Sequence, residues 1–281
     1  MEGTCSLCNK KKKLIKSHRI PKFVAKTIKK DSFTNKLRNA SEPNKTVQDS
    51  DKDYLLCAVC EKLFGDRETL FNQRVLQPFR NKRITSFCYD QWLNYFITSV
   101  SWRTLLLDAK SQEATIKNGF TDKHFEQIKL AEQDMRTYLL GEKKFLKNIS
   151  NHIVFICEEN KLNNYYYAYS QFCNVTSGYT YGKKDGSLYV VHFLAGIMIV
   201  SIIKEGKKEY WKNTFVKNEE GKMKSPQIVN SDICGEIDYQ LEQRRRAVNN
   251  MSIAQKQALL DKIKENPEGF LKSSSSVMFR D

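Results

Sequence analysis

Cys5-Ser6-Leu7-Cys8 and Cys57-Ala58-Val59-Cys60, two pairs of cysteines with two residues inside each, decide how the first quarter of this chain folds. Each pair can clamp one side of a tetrahedron. Together they supply the closed ligand set of a structural Zn2+ site, with no open position for chemistry. In a reducing compartment such pairs bind metal far more often than they cross-link. The metal would staple a segment too polar to bury enough apolar surface alone. The second pair follows Leu55-Leu56 and precedes Leu63, Phe64, Leu70 and Phe71. That pattern predicts a helix starting just after Cys60. The other four cysteines, Cys88, Cys157, Cys173 and Cys234, stand singly in apolar or strand-like surroundings and read as small buried hydrophobes.

The charge around this motif narrows the partner. The 281-residue chain carries a formal net charge of +15, and residues 1–46 hold thirteen Lys and Arg against three Asp and Glu. Four thiolates around one zinc leave that segment basic, and such a block suits a nucleic acid or another polyanion. Lys11, Lys12, Lys13, Lys16, Arg19 and Lys22 are the candidate phosphate contacts. A solvated lysine-rich surface is the plainer alternative.

An apolar content of 40% allows a real core in one large domain or two ordinary ones. The longest apolar run, residues 188–203, is broken by His192 and Gly196; it is too short to span a bilayer and reads as a buried hairpin. No membrane association is expected. The chain opens on Glu2 and a cysteine pair, without the pattern of a secretory signal, so a cytoplasmic location is expected.

The expected fold class is α+β, in three segments. Residues 1–71 form the zinc module, interrupted by a long polar loop over residues 31–53. Residues 72–148 read as helical, with Trp92, Phe96, Val100 and Leu107 on one helix and Phe125, Ile128, Met135 and Leu139 on another. Arg103 there reads as a helix-surface salt bridge, with a phosphate contact as the alternative. Residues 149–281 form an α+β domain. Strands are expected over residues 152–157, 165–172, 179–181, 188–194, 197–203 and 211–216, with Lys184-Asp185-Gly186 as a hairpin turn. Two helices follow. Ser252 and Gln255 make a capping box at the start of the second, which stops before Asn266-Pro267. The Ser273–Ser276 tail reads as flexible. Tyr165, Tyr166, Tyr167 and Tyr169 could stack on bases, and Arg244, Arg245 and Arg246 could meet phosphates, although packing and a solvated face explain them equally well. No phosphate-binding glycine loop is present, so no ATPase activity is implied.

Between the cysteine pairs lies Ser17-His18-Arg19-Ile20-Pro21. Together with the pairs and with Leu55-Leu56 and Glu61, this stretch resembles the zinc-containing form of the HNH (ββα-metal) endonuclease motif, over the first quarter of the chain only. Ser101-Trp102-Arg103 is similar to uncharacterised bacterial HNH-like proteins, some expected in anti-phage defence. The resemblance implies phosphodiester hydrolysis of a nucleic acid, DNA ahead of RNA, with a protein partner in a defence system. It makes His18 the general base that draws a proton from the attacking water, and implies Mg2+ or Mn2+ beside the scissile phosphate. Pro21 matches the family's turn residue. The chain departs from the family at three places. Ser17 stands where a metal-binding Asp is usual, Glu61 where a His or Asn is usual, and Lys52-Asp53 where an Asn is expected. Glu61 is expected to replace a ligand, with Glu68, two helical turns on, Asp51 or Asp53 supplying another. Plainer roles remain: His18 as a packed histidine capping the zinc loop, Glu61 as a first-turn helix carboxylate, Glu68 as a solvated one. With those roles the chain would be a degenerate, non-catalytic module that binds nucleic acid or a partner.

Overall fold

The structure is a computed structural model describing residues 1–48, 51–110 and 120–276. It is α+β, with the cysteine quartet in the N-terminal part and antiparallel sheets in the C-terminal part. The chain opens with β1 (Glu2–Thr4) and β2 (Lys11–His18), then α1 (Lys22–Asp31). Next come a two-residue hairpin of β3 (Leu37–Arg38) and β4 (Thr46–Val47), then β5 (Lys52–Cys57) and α2 (Ala58–Phe71). Strand β2 lies between β1 and β5, antiparallel to both. The ββα order anticipated around the metal motif is therefore formed. The polar stretch before β5 is partly ordered by the β3–β4 pair, and Asp49 and Ser50 lie outside the described residues. The helix begins at Ala58, so Cys60 sits in its first turn rather than ahead of it.

A π turn at Asn72–Leu76 leads into α3 (Gln77–Lys82), β6 (Phe87–Tyr89), α4 (Gln91–Lys110) and α5 (Asp122–Leu139). Strand β6 interrupts the segment expected to be helical. Its partner lies far along the chain, so local periodicity could not announce it. Helix α4 carries two apolar faces. Trp92, Phe96 and Val100 join a core with Phe71, Phe79, Phe155 and Leu194, while Trp102 and Leu105 join another with Leu14, Phe64, Met135 and Val190. Each of these cores draws on residues from all three sequence segments.

Strands β7 (Ser150–Phe155), β8 (Lys161–Leu162), β9 (Tyr165–Tyr166), β10 (Thr176–Gly182), β11 (Leu188–Leu194), β12 (Ile197–Lys204), β13 (Tyr210–Lys212), β14 (Gly221–Met223) and β15 (Ile228–Asn230) complete the strands. The main sheet, ordered β10-β11-β12-β7, is antiparallel throughout and lies against α4. The long apolar run is its central hairpin β11–β12, turned at Ala195-Gly196, where Gly196 has φ +98° and a Cβ would lie 2.5 Å from the Tyr169 ring. A smaller sheet, β13-β15-β8-β9, contains one parallel pair, β15 with β8. Two expected strands are shorter than their sequence suggests. The run from Tyr165 leaves the sheet after Tyr166 and enters a 3-10 turn at Tyr169–Gln171, and Asn213, at positive φ, ends β13.

Helices α6 (Gly235–Asn249), α7 (Ile253–Glu265) and α8 (Pro267–Lys272) close the described chain. The Ser252 hydroxyl accepts from the Gln255 N–H and caps α7, but the other half of the expected box does not form, because the Ser252 N–H donates to Asn44 Oδ1 instead. The serine tail is not loose: Ser274 donates through N–H and hydroxyl to the Asp31 carbonyl, and the Ser275 hydroxyl accepts from the Phe33 N–H. Of the four single cysteines, Cys157, Cys173 and Cys234 are buried as expected, and Cys88 is exposed.

Candidate metal centre

The sulfur atoms of Cys5, Cys8, Cys57 and Cys60 all lie within 4.8 Å of one another. Tetrahedral zinc with bonds of about 2.3 Å needs sulfurs about 3.8 Å apart, so the quartet fits such an ion. Local structure explains the gathering. Asn9, at φ +54°, turns the chain after the first pair, and its N–H donates to the Cys5 carbonyl at 2.9 Å. The Cys57 N–H donates to Cys5 Sγ at 3.4 Å, tying the first pair to the start of α2. Burial, then hydrogen bonds and charge from the neighbouring cysteines, push the Cys60 thiol far above the ordinary cysteine range. A bound cation such as zinc would favour the Cys60 thiolate against that burial.

The sequence-assigned catalytic residues sit beside this centre. In the β2–β5 register Ser17 pairs with Asp53 and His18 with Lys52, at the end of the hairpin over which α2 is packed. Ser17 is fully buried, and its hydroxyl donates to Glu61 Oε2 at 2.7 Å. The carboxylate from the first turn of α2 therefore lies against the residue preceding His18. Glu68 is placed differently from a solvated carboxylate. It accepts from Arg103 Nη2 at 2.7 Å, in an ion pair whose arginine is 1% exposed. Arg103 is accordingly a buried ion-pair residue, not a surface one. Asp53 is exposed and accepts from its neighbour's N–H.

For a hard cation these placements leave one helix carboxylate, Glu61, because Glu68 is held by Arg103. Glu61 keeps lone pairs beyond the one used by Ser17. A Mg2+ that holds several waters can be bound by so few protein groups. Among the described residues, His18, Glu61 and Glu68 do not form a second three-ligand cluster like that of the cysteines.

The basic candidates divide. Lys11, Lys12, Lys13, Lys16 and Lys22 are exposed, and Lys16 lies over the Tyr54 ring. Arg19 is ion-paired with Asp108 of α4. Asp108 also accepts from the Thr180 N–H at 2.7 Å, linking the site to the edge strand β10. In α6, Arg244 donates to the Gln171 carbonyl and Arg246 pairs with Glu242.

Sequence reasoning did not find the buried polar pair near Arg19 and Arg103. Thr104 of α4 hydrogen-bonds His192 Nε2 at 2.8 Å. His192 is fully buried, and desolvation, helped by the nearby Arg19 and Arg103 charges, lowers its pKa from 6.5 to about 3. The one available signal was a histidine interrupting the most apolar run of the chain. Comparison with protein-family models, curated proteins and solved structures finds no match, so the reading of this site rests on its own geometry.

Proposed function

We propose that the chain is a metal-dependent endonuclease acting on nucleic acid, DNA ahead of RNA, built on a zinc-stapled ββα module. The observation that carries this reading is the Ser17–Glu61 hydrogen bond of 2.7 Å. Where the HNH motif has a carboxylate on the strand just before its histidine, this chain has a serine, and a helix carboxylate reaches that same serine. The acidic group is moved, not lost.

In this reading His18 takes a proton from the water that attacks phosphorus. Glu61 provides the negative oxygen facing the phosphate's counter-ion. The exposed lysines of β2 and Lys22 hold the strand's backbone through charge. A bound Mg2+ or Mn2+ would neutralise charge on the phosphate and the leaving oxygen. Four cysteines gathered as a metal-ligand set suit a reducing, cytoplasmic setting.

A second reading has its own observation. Glu68 is engaged by Arg103 and no second three-ligand cluster occurs among the described residues, as in a module that keeps the fold and binds without cutting. Incubating purified protein with plasmid DNA and single-stranded RNA in Mg2+ or Mn2+, beside His18→Ala, separates the two. Cleavage lost in the variant, with zinc unchanged at about one per chain, is expected. Salt-sensitive binding without cleavage by the native protein would refute the nuclease and leave the binding module.

A further inference from the structure

Resting on the nuclease reading, we propose that Arg103 is a positioning residue that sets the general base, His18, against the carboxylate helix. The argument begins with its burial. At 1% exposure the Arg103 guanidinium cannot reach a substrate. A charge there persists only if its donors are satisfied. Its Nη1 donates to the His18 carbonyl at 3.0 Å, its Nη2 to Glu68 Oε1 at 2.7 Å, and its Nε to the Ser99 carbonyl at 3.3 Å. One planar fork therefore joins the last residue of β2 to α2, from a third element, α4.

The neighbouring residue is held from the same helix. Arg19 is ion-paired to Asp108, which is in turn bonded to the Thr180 N–H. The peptide between His18 and Arg19 is thus bracketed by two ties to α4, one through a backbone carbonyl and one through a side chain. Beyond it the strand pairing ends and the chain turns at buried Pro21 into α1. Without the Arg103 tie, the His18 end of the strand would keep its ladder bonds and the Ser17–Glu61 hydrogen bond but lose the link from His18 itself to α2. A lysine cannot replace the fork, because one ammonium presents a point charge and not two coplanar donors.

The test compares Arg103→Lys and Arg103→Ala with native protein and with Met135→Ala, a buried α5 residue outside the site that controls for lost stability. Assays run well below every melting temperature, after zinc content and circular dichroism show folded protein. The expected result is a fall in kcat of about 100-fold for both Arg103 variants, the cost of a misplacement near 1 Å. KM and the salt dependence of DNA binding should stay within about twofold of native, as for a group that orients without touching substrate. Met135→Ala should lose only its unfolded fraction. The His18 ring resonances should shift in Arg103→Lys and stay fixed in Met135→Ala. Arg103 variants that retain kcat in proportion to folded protein, with unshifted His18 resonances, would overturn the positioning role alone. Absence of cleavage by the native protein would overturn the nuclease reading and this role with it.

Discussion

Acid should destabilise this protein through two histidines that the fold keeps neutral. His192 is fully buried and His152 is packed against Trp211 and Phe215, and burial lowers each pKa from 6.5 to about 3. The sign follows from which state takes the proton first. Below pH 6.5 the unfolded chain protonates while the folded one does not. Stability is therefore complete above pH 6.5 and falls as pH drops towards about 3, where the folded state protonates too. Each pH unit costs about 1.36 kcal/mol per group, so at pH 4.5 each histidine contributes a loss of about 3 kcal/mol, and the pair about 5 kcal/mol. For a chain of this size that corresponds to roughly 10–20 °C in Tm. Carboxylates and thiolates also titrate in this range, so the informative quantity is a difference of differences. Urea unfolding at pH 7.5 and pH 4.5 should be measured for native protein, His152→Gln, His192→Gln and the double variant. The substitutions destabilise at both pH values, but the loss on acidification should shrink by about 3 kcal/mol in each single variant and about 5 kcal/mol in the double. A double variant that loses as much stability on acidification as native protein, within about 1 kcal/mol, would refute the argument.

Other consequences are equally direct. Cys57→Ser should remove the bound zinc, read by a colorimetric chelator assay, because the ligand set is closed and has no spare donor. Phe71→Ala should cost about 3–5 kcal/mol in urea unfolding, since Phe71 is fully buried and stacked on Phe96 with centroids 4.1 Å apart. Replacing Lys11, Lys12 and Lys13 together by Ala should reduce the slope of log affinity against log salt by about 2.7 in fluorescence anisotropy with duplex DNA, if each reaches a phosphate. Gly196→Ala should destabilise by about 1–3 kcal/mol, because its φ of +98° and the Tyr169 ring both oppose a side chain.

Features carried by neighbours in sequence were legible before the structure. The cysteine pairs, the β11–β12 hairpin and the Ser252 cap each depend on spacings of a few residues. The failures share one cause. Strand β6 pairs with β14, which follows more than a hundred residues later, so its three residues look like part of a helical segment. The serine tail looks mobile by composition, yet it donates to the Asp31 carbonyl at the end of α1 and accepts from the Phe33 N–H just beyond it. Arg103 looks like a surface residue on an amphipathic helix because α4 has two buried faces, and single-face periodicity hides the second.

The sequence by itself picked out the cysteine quartet, the basic N-terminal block and the α+β class, because period and spacing dictate which local contacts are possible, while the ββα order was implied by the family resemblance. Tertiary structure decided which acidic and basic groups meet. Ser17 finds Glu61 across 44 residues, Arg103 finds His18 across 85, and Arg19 finds Asp108 across 89. Those partners are chosen by how α2 and α4 pack against the end of β2. A buried charge takes whichever counter-charge that packing brings within reach, and no spacing in the chain encodes it.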